Sequence, residues 1–420
     1  MKINELLLGR EVCECGKPHL CPIDHVIISE NAFECLPELT KDYKNILLVA
    51  DKNTYRVCGE AVAAGIGAQL ADTLVYATEE VLVPNEVAID ELRAHVTDKT
   101  ELIIGIGSGV INDLCKHVSF ISHLPYYIVA TAPSMDGYAS KGAALILEGM
   151  KVTLNADVPK AIIADINVLK NAPFDMIQSG YGDIIGKYSC LNDWKLAHVV
   201  NGEYLCRFVM DATYDAVEET VRLADGLVAR DGEAVKALME ALVAVGILMA
   251  YVGNSRPASG SEHHMSHYFE IVGIVRGEKY FPHGVDVCYS AIDTAKIREE
   301  LLDIEDIDKF VNHFDKTDYE ANIARIYTDI TDEVLALQNK LGWYNTDRIS
   351  VYKEKWAEIR EVLADCPTSE RMRELTEKIG LSYSSFTELY GEKKIADAHL
   401  YAKDLKDRYT VLWMYYDLMH

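Results

Sequence analysis

The chain has 420 residues, of which 49% are hydrophobic and 25% charged, enough for two domains with sizeable cores. Its formal net charge of −25 argues against nucleic acid and against stable association with anionic membrane, so any phosphate ligand has to be met by a local site. No apolar run is expected to reach transmembrane length, and the opening M-K-I-N-E-L-L-L-G-R-E lacks the core and cleavage site of a signal peptide, which predicts a cytoplasmic protein with its ten cysteines mostly as free thiols.

Near the start, C-E-C-G-K-P-H-L-C gathers Cys13, Cys15, His19 and Cys21. The spacing C-x-C-x5-C is not that of a zinc knuckle, and no second cysteine pair follows at knuckle distance. A reduced surface loop is therefore expected there in preference to a metal site. From Val26 the pattern alternates strand and helix. H-V-I-I-S, N-I-L-L-V-A-D, T-L-V-Y, E-L-I-I-G-I-G, L-P-Y-Y-I-V-A and K-A-I-I-A-D-I are short apolar runs of the kind a buried parallel strand requires. Helices are predicted between them, at about Thr54–Ala68, Val87–Val96 and after the glycine turn at Gly105. Alternation of this kind predicts a doubly wound, Rossmann-like parallel sheet.

After about Asn171 the strand signals stop. Pro173 opens a helix, and the remainder reads as amphipathic helix: Cys206–Ala224, Glu233–Tyr251, Glu262–Val272, Val285–Ile297, Ile307–His313, Asp318–Leu341, Ser350–Cys366, Met372–Ile379, Phe386–Leu400 and Leu405–Met419. The expected organisation is an α/β domain over 1–170 and an all-α domain over 171–420. The active cleft is expected between the sheet's carboxyl edge and the helical domain.

Three stretches carry chemistry. G-I-G-S-G-V-I-N-D, Gly105–Asp113, lies between a strand and a helix; glycines there let backbone amides approach a pyrophosphate at a helix N-terminus, although an ordinary tight turn has the same composition. Thr131–Ser134, T-A-P-S, ends the next strand and offers two hydroxyls to the same dinucleotide, with Asp136, Ser140 and Lys141 following. Asp51, at an earlier strand end, suits an adenosine ribose and would repel a 2′-phosphate, favouring NAD over NADP; it suits a helix N-cap equally well. The third stretch runs from Asn254 to Asp286 and holds His263, His264, His267 and His283. His263 and His267 share one helix face, and His283 opens a new helix behind Pro282. Such imidazoles suit a divalent metal completed by a carboxylate, with Asp183 in Y-G-D-I-I-G-K a source for it; a solvated polar helix is the alternative.

Taken in order, G-S-G-V-I-N-D, T-A-P-S-M-D-G-Y-A-S, S-G-Y-G-D-I-I-G-K, S-R-P-A-S-G-S-E-H-H-M-S-H and P-H-G resemble the sn-glycerol-1-phosphate dehydrogenases in their bacterial, AraM-like form. These belong with the iron-containing alcohol dehydrogenases, glycerol dehydrogenase and dehydroquinate synthase. The resemblance covers nearly the whole chain and implies a dehydroquinate synthase-like fold and a homodimer. It implies Asp183, His263 and His283 as ligands of one divalent ion, zinc, nickel or iron, with Asp183, Asp136 and His267 touching substrate and serving catalysis. It implies Asp51, Gly107, Ser108, Gly109, Val110, Ile111, Thr131, Ala132, Pro133, Ser134 and Ser140 as the NAD site, with NADH preferred and NADPH possible. One departure is Ser108, where relatives with three consecutive glycines carry glycine. The implied reaction interconverts dihydroxyacetone phosphate and sn-glycerol 1-phosphate, a precursor for glycerolipids. A polyol dehydrogenase or a dehydroquinate synthase-like cyclase is the alternative. For the substrate phosphate, Lys187, Lys195, Lys160 and Arg256 are the candidate cations.

Overall fold

The structure is a computed structural model that describes residues 2–78, 82–147 and 150–420. The chain forms two compact units. One comprises Met1–Gly180 with Glu218–Asn254, and the other Tyr181–Val217 with Ser255–His420. The expected division near residue 170 therefore differs from the observed one, in which a later segment returns to the first unit.

The first unit is built on a six-stranded sheet. Its strands are β1 (His25–Ser29), β2 (Ile46–Asp51), β3 (Leu70–Tyr76), β4 (Leu102–Gly107), β5 (Tyr126–Ala130) and β8 (Ala161–Asp165), in the order β1-β8-β5-β4-β2-β3, every pair parallel. These are the six apolar runs read from the sequence. β4, β5 and β8 are buried at every position, as strands covered on both faces must be. A hairpin of β6 (Gly142–Leu147) and β7 (Met150–Asn155) was not expected.

The segment returning to this unit brings helix Gly232–Val252. By length and composition it is apolar enough to cross a membrane, so the expectation that no run reaches that length needs correction. Most of its side chains are buried in the protein, and it acts as a core helix. Gly246 lies against the 3-10 turn Asp136–Ala139: a Cβ there would stand 2.8 Å from the Asp136 carbonyl oxygen and from the Ala139 Cβ.

The second unit is helical among its described residues. Helix Lys187–Asn201 is buried nearly all round, and its core cluster includes Tyr268, Phe269, Tyr289, Phe386, Trp413 and Met414. The expected helix Asp318–Leu341 is two, Lys316–Tyr327 and Thr331–Leu341, broken at Thr328, whose φ is +43°. The expected helix Ile307–His313 is a single 3-10 turn, Ile307–Lys309. The last helix begins at Val411, preceded by the 3-10 turn Ala402–Leu405.

Candidate active site

In the second unit, three chain segments bring one carboxylate and two imidazoles together. Asp183 lies near the end of helix Phe174–Ile185, His263 in the first turn of helix Ser261–Arg276, and His283 opens helix His283–Leu302. Their donor atoms lie within 4.8 Å of one another. The close approach depends on glycine. A Cβ at Gly182 would stand 2.2 Å from the Gly284 carbonyl oxygen, and one at Gly186 would stand 2.5 Å from Val287 Cγ1. The two glycines are four apart and flank Asp183, so the helix carrying His283 can pack directly on that turn.

Each group is oriented. His263 Nδ1 is 2.6 Å from Glu262 Oε1, which turns Nε2 towards Asp183 Oδ1 at 3.4 Å. His283 Nδ1 lies 3.3 Å from the Ser266 hydroxyl. The fully buried Lys187 donates to Asp183 Oδ1 at 2.6 Å and to the Ala258 carbonyl at 3.0 Å. Burial works to raise the Asp183 carboxyl, but the Lys187 ammonium and then the His263 ring hold it far below the usual carboxylate range. Burial works to lower the His263 imidazole, yet its bonds to Asp183 and Glu262 hold it above the ordinary histidine value. Two imidazoles and a carboxylate, each with its outer atoms fixed by a neighbour, suit a divalent cation in type, proximity and outer support.

His267 is part-exposed, its ring centred 6.1 Å from that of His263 and 5.3 Å from that of His283. His264 points elsewhere. It is wholly buried, neither ring nitrogen has a hydrogen-bond partner, and burial and then Arg408 hold it well below the ordinary histidine value. Glu262 was not anticipated; a carboxylate directly before a histidine in a helix's first turn was the available signal.

The residues expected for NAD gather within the first unit, at the carboxyl ends of adjacent strands. Ala50 pairs with Ile106, Gly107 pairs with Ala130, and the Thr131 amide donates to the Gly107 carbonyl at 3.1 Å. Ser108 caps helix Gly109–Ile121: its hydroxyl accepts from the Gly109 amide at 2.6 Å and lies 3.0 Å from the Ser134 hydroxyl. That explains serine where glycine was the reference, because a cap needs a side-chain oxygen. At Gly109 a Cβ would make only ordinary contact with the Met135 side chain, at 3.9 Å. Ile111 packs under Gly107, where a Cβ would come within 2.6 Å of it. Val110 follows in the first helical turn, and the Ala132 carbonyl accepts from the Tyr138 hydroxyl at 2.7 Å. The Pro133 carbonyl lies against Gly180, where even a Cβ is excluded at 1.9 Å. Asp51 Oδ1 accepts from the Asn53 and Thr54 amides, so the N-cap role is in place. The Ser140 hydroxyl is tied inward, 3.3 Å from the buried Lys116 ammonium, which also bonds the Gly137 and Gly142 carbonyls. Lys116 thus fastens the loop that begins at Asp136.

The cations considered for a phosphate are all engaged. Lys187 serves Asp183, Lys195 pairs with Asp365, and Lys160 lies 3.6 Å from Asp24. Arg256 makes a two-point pair with Glu203 at 2.6 and 2.5 Å.

Comparison with known proteins agrees with this architecture. Residues 27–173 match the iron-containing alcohol dehydrogenase family. A glycerol-1-phosphate dehydrogenase (NAD(P)+) of Halalkalibacterium halodurans is 34% identical over 287 residues, covering 67% of this chain and 72% of that protein. The enzyme of the same name from Bacillus licheniformis is 30% identical over 409 residues, covering 95% of this chain and 90% of that protein. Among solved structures, sulfoacetaldehyde reductase from Bifidobacterium kashiwanohense superposes with a TM-score of 0.63 over 95% of this chain and 98% of that chain at 12% identity, a likeness of fold alone. Six parallel strands, helices beyond them and relatives matched over most of their length place this chain in the glycerol-1-phosphate dehydrogenase family of the iron-containing alcohol dehydrogenase superfamily.

Proposed function

We propose that this protein interconverts dihydroxyacetone phosphate and sn-glycerol 1-phosphate with a nicotinamide nucleotide. The observation that carries the reading is the Asp183, His263 and His283 cluster, oriented by Glu262, Ser266 and Lys187, in a chain whose relatives bear that enzyme's name. Asp183, His263 and His283 would hold one divalent ion, zinc, nickel or iron(II) by donor type. Bound there, the ion supplies Lewis acidity to the C2 carbonyl, and bound NADH supplies the hydride. Glu262 fixes the His263 tautomer, and Lys187 keeps the Asp183 carboxylate ionised. His267 gives the proton to the C2 oxygen or orients the group that does. Asp136 is assigned a substrate contact by the resemblance. The nucleotide pyrophosphate falls to the amides at Gly107–Ile111 and the hydroxyls at Thr131–Ser134, with Ala132, Pro133 and Ser140 shaping that wall. We assign the protein to the cytoplasm as a homodimer.

The deciding assay follows NADH oxidation with dihydroxyacetone phosphate against unphosphorylated dihydroxyacetone, with and without added metal. The phosphorylated ketone should be preferred by at least about tenfold in kcat/KM, the effect of one charge-assisted contact of 1.5–3 kcal/mol. Equal rates would favour a polyol dehydrogenase. Absence of any net NADH change would favour a cyclase.

A separate expectation concerns the nucleotide. The Asp51 carboxylate accepts both cap amides on Oδ1, which leaves Oδ2 for a ribose hydroxyl. Asp51→Asn keeps an amide-accepting oxygen but removes the charge. It should narrow the NADH over NADPH preference by about fivefold to tenfold, and an unchanged ratio would remove Asp51 from cofactor selection.

A further inference from the structure

The cysteine-rich segment at the start of the chain is not a loosely held surface loop. His19 is wholly buried and Cys13 is 9% exposed, while between the buried Leu6 and Ile23 three large apolar side chains face outward: Leu8 is 87% exposed, Val12 85% and Leu20 64%. This inverts the usual order of a small folded segment, in which apolar groups go inside and polar ones out. Hydrophobic burial anchors Leu6 and Ile23 but does not account for the shape of the stretch between them, where a further interaction fits.

The donor atoms point to what that is. Cys13 Sγ, Cys15 Sγ and a ring nitrogen of His19 lie within 4.8 Å of one another. Cys15 Sγ is 3.4 Å from His19 Nε2. In a tetrahedral zinc shell with Zn–S near 2.3 Å and Zn–N near 2.05 Å, a sulfur and a nitrogen stand about 3.6 Å apart. The cluster is therefore already close to ligand spacing.

The outer support matches as well. His19 Nδ1 lies 3.4 Å from the Tyr251 carbonyl oxygen, and the imidazole stacks on the Tyr251 ring at 5.2 Å and 18°. A proton on Nδ1 donated to a carbonyl leaves the Nε2 lone pair aimed at the sulfurs, the arrangement that orients metal-ligating histidines generally. The backbone is shaped to present the three groups together. Gly16, at φ +80°, closes a turn in which its amide donates to the Cys13 carbonyl at 2.9 Å. Arg10 and His19 exchange both backbone hydrogen bonds, at 2.7 and 2.8 Å, so residues 10–19 form a closed ring with the donors inside.

We infer that Cys13, Cys15 and His19 bind one zinc ion as a structural clip, separate from the Asp183, His263 and His283 cluster. Two thiolates and an imidazole form a softer donor set than one carboxylate and two imidazoles, so the two sites differ in the metals they prefer. Binding releases the two thiol protons and leaves no charge on the zinc–dithiolate unit; a fourth donor, water or a further thiolate, completes the tetrahedron. No electron transfer is involved. The clip joins the N-terminal segment to the end of helix Gly232–Val252, where the Tyr251 hydroxyl also donates to the Leu6 carbonyl. Cys21 is not in the donor set, and burial pushes its thiol up.

The test uses full-length protein stripped of metal and reloaded with cobalt(II). The expected result is a thiolate-to-cobalt charge-transfer band in the near ultraviolet that reaches the intensity of one thiolate-bound cobalt per chain once both metal sites are filled. It should be lost in Cys15→Ser and unchanged in Cys21→Ser and His283→Ala. The carboxylate–imidazole cluster has no sulfur and cannot give this band. His19→Cys, which keeps a donor at that position, should retain one equivalent with a stronger band, so a folding defect in Cys15→Ser would not decide the matter. Absence of the band in the unmutated protein would overturn the inference, as would its survival in Cys15→Ser. A Cys13–Cys15 disulfide found by mass spectrometry after purification without reductant would overturn it as well.

Discussion

Asp183→Ala is expected to empty the metal site and to lower turnover by roughly a thousandfold, the scale of several kcal/mol of lost charge stabilisation. It should also destabilise the protein by about 3–5 kcal/mol, because the Lys187 ammonium, wholly buried and 2.6 Å from Asp183, loses its partner. The two effects separate in a double variant. Asp183→Ala with Lys187→Met removes both charges, so most of the stability should return while metal and turnover stay lost. Denaturant unfolding and metal analysis on the same preparations decide the point. A single variant that keeps as many metal equivalents as the unmutated protein would remove Asp183 from the ligand set, and a double variant no more stable than the single would show that Lys187 does not depend on it. A pH dependence follows. The folded-state Asp183 value is depressed, so its contribution is present above the unfolded value of about 3.9 and is lost as pH falls towards the folded value. In metal-free protein, the double variant should lack that part of the acid sensitivity.

His267→Ala is expected to keep most of its metal while turnover falls by about a hundredfold, the scale of a lost general acid or positioning group. The ring sits within 5.3 Å of His283 and 6.1 Å of His263, yet it is absent from the group of mutually close donors. If Asp183, His263 and His283 hold the ion, as proposed, His267 would be a fourth protein ligand and would crowd the positions a chelating substrate needs. Metal content measured beside turnover distinguishes the roles: loss of the ion would make His267 a ligand, and near-normal turnover would take it out of the reaction.

The sheet was legible because a strand buried on both faces must be apolar at every position; Leu102–Gly107 and Ala161–Asp165 announce themselves that way. The hairpin β6–β7 was not. It begins Gly-Ala-Ala, residues with little strand preference, and only alternate positions are buried. The break at Thr328 carries no glycine or proline to mark it, so two helices read as one. At the candidate site, the recurrence of histidines and a carboxylate source at Asp183 were visible, whereas the ligand set Asp183, His263 and His283, without His264 and His267, came from the resemblance. Lys187 was considered for a phosphate, yet its spacing four residues after Asp183 already described an ion pair on one helix face. Glu262 remained hidden because neighbouring residues seldom pair side chains on a helix, and the start of one is the exception here.

The return of Glu218–Asn254 to the first unit sets the order in which a ribosome can finish it. The sheet strands are all made by Asp165, but the apolar helix that covers the Asp136–Ala139 turn is not complete until Val252. At about 5–20 residues per second, the 74 residues between Gly180 and Asn254 take roughly 4–15 s to synthesise. Until then the Asp136–Ala139 turn lacks the Gly246 face that packs on it in the finished unit. A chain cut short before Val252 would lack part of that helix, so an N-terminal fragment that carries the complete first unit has to extend to residue 254.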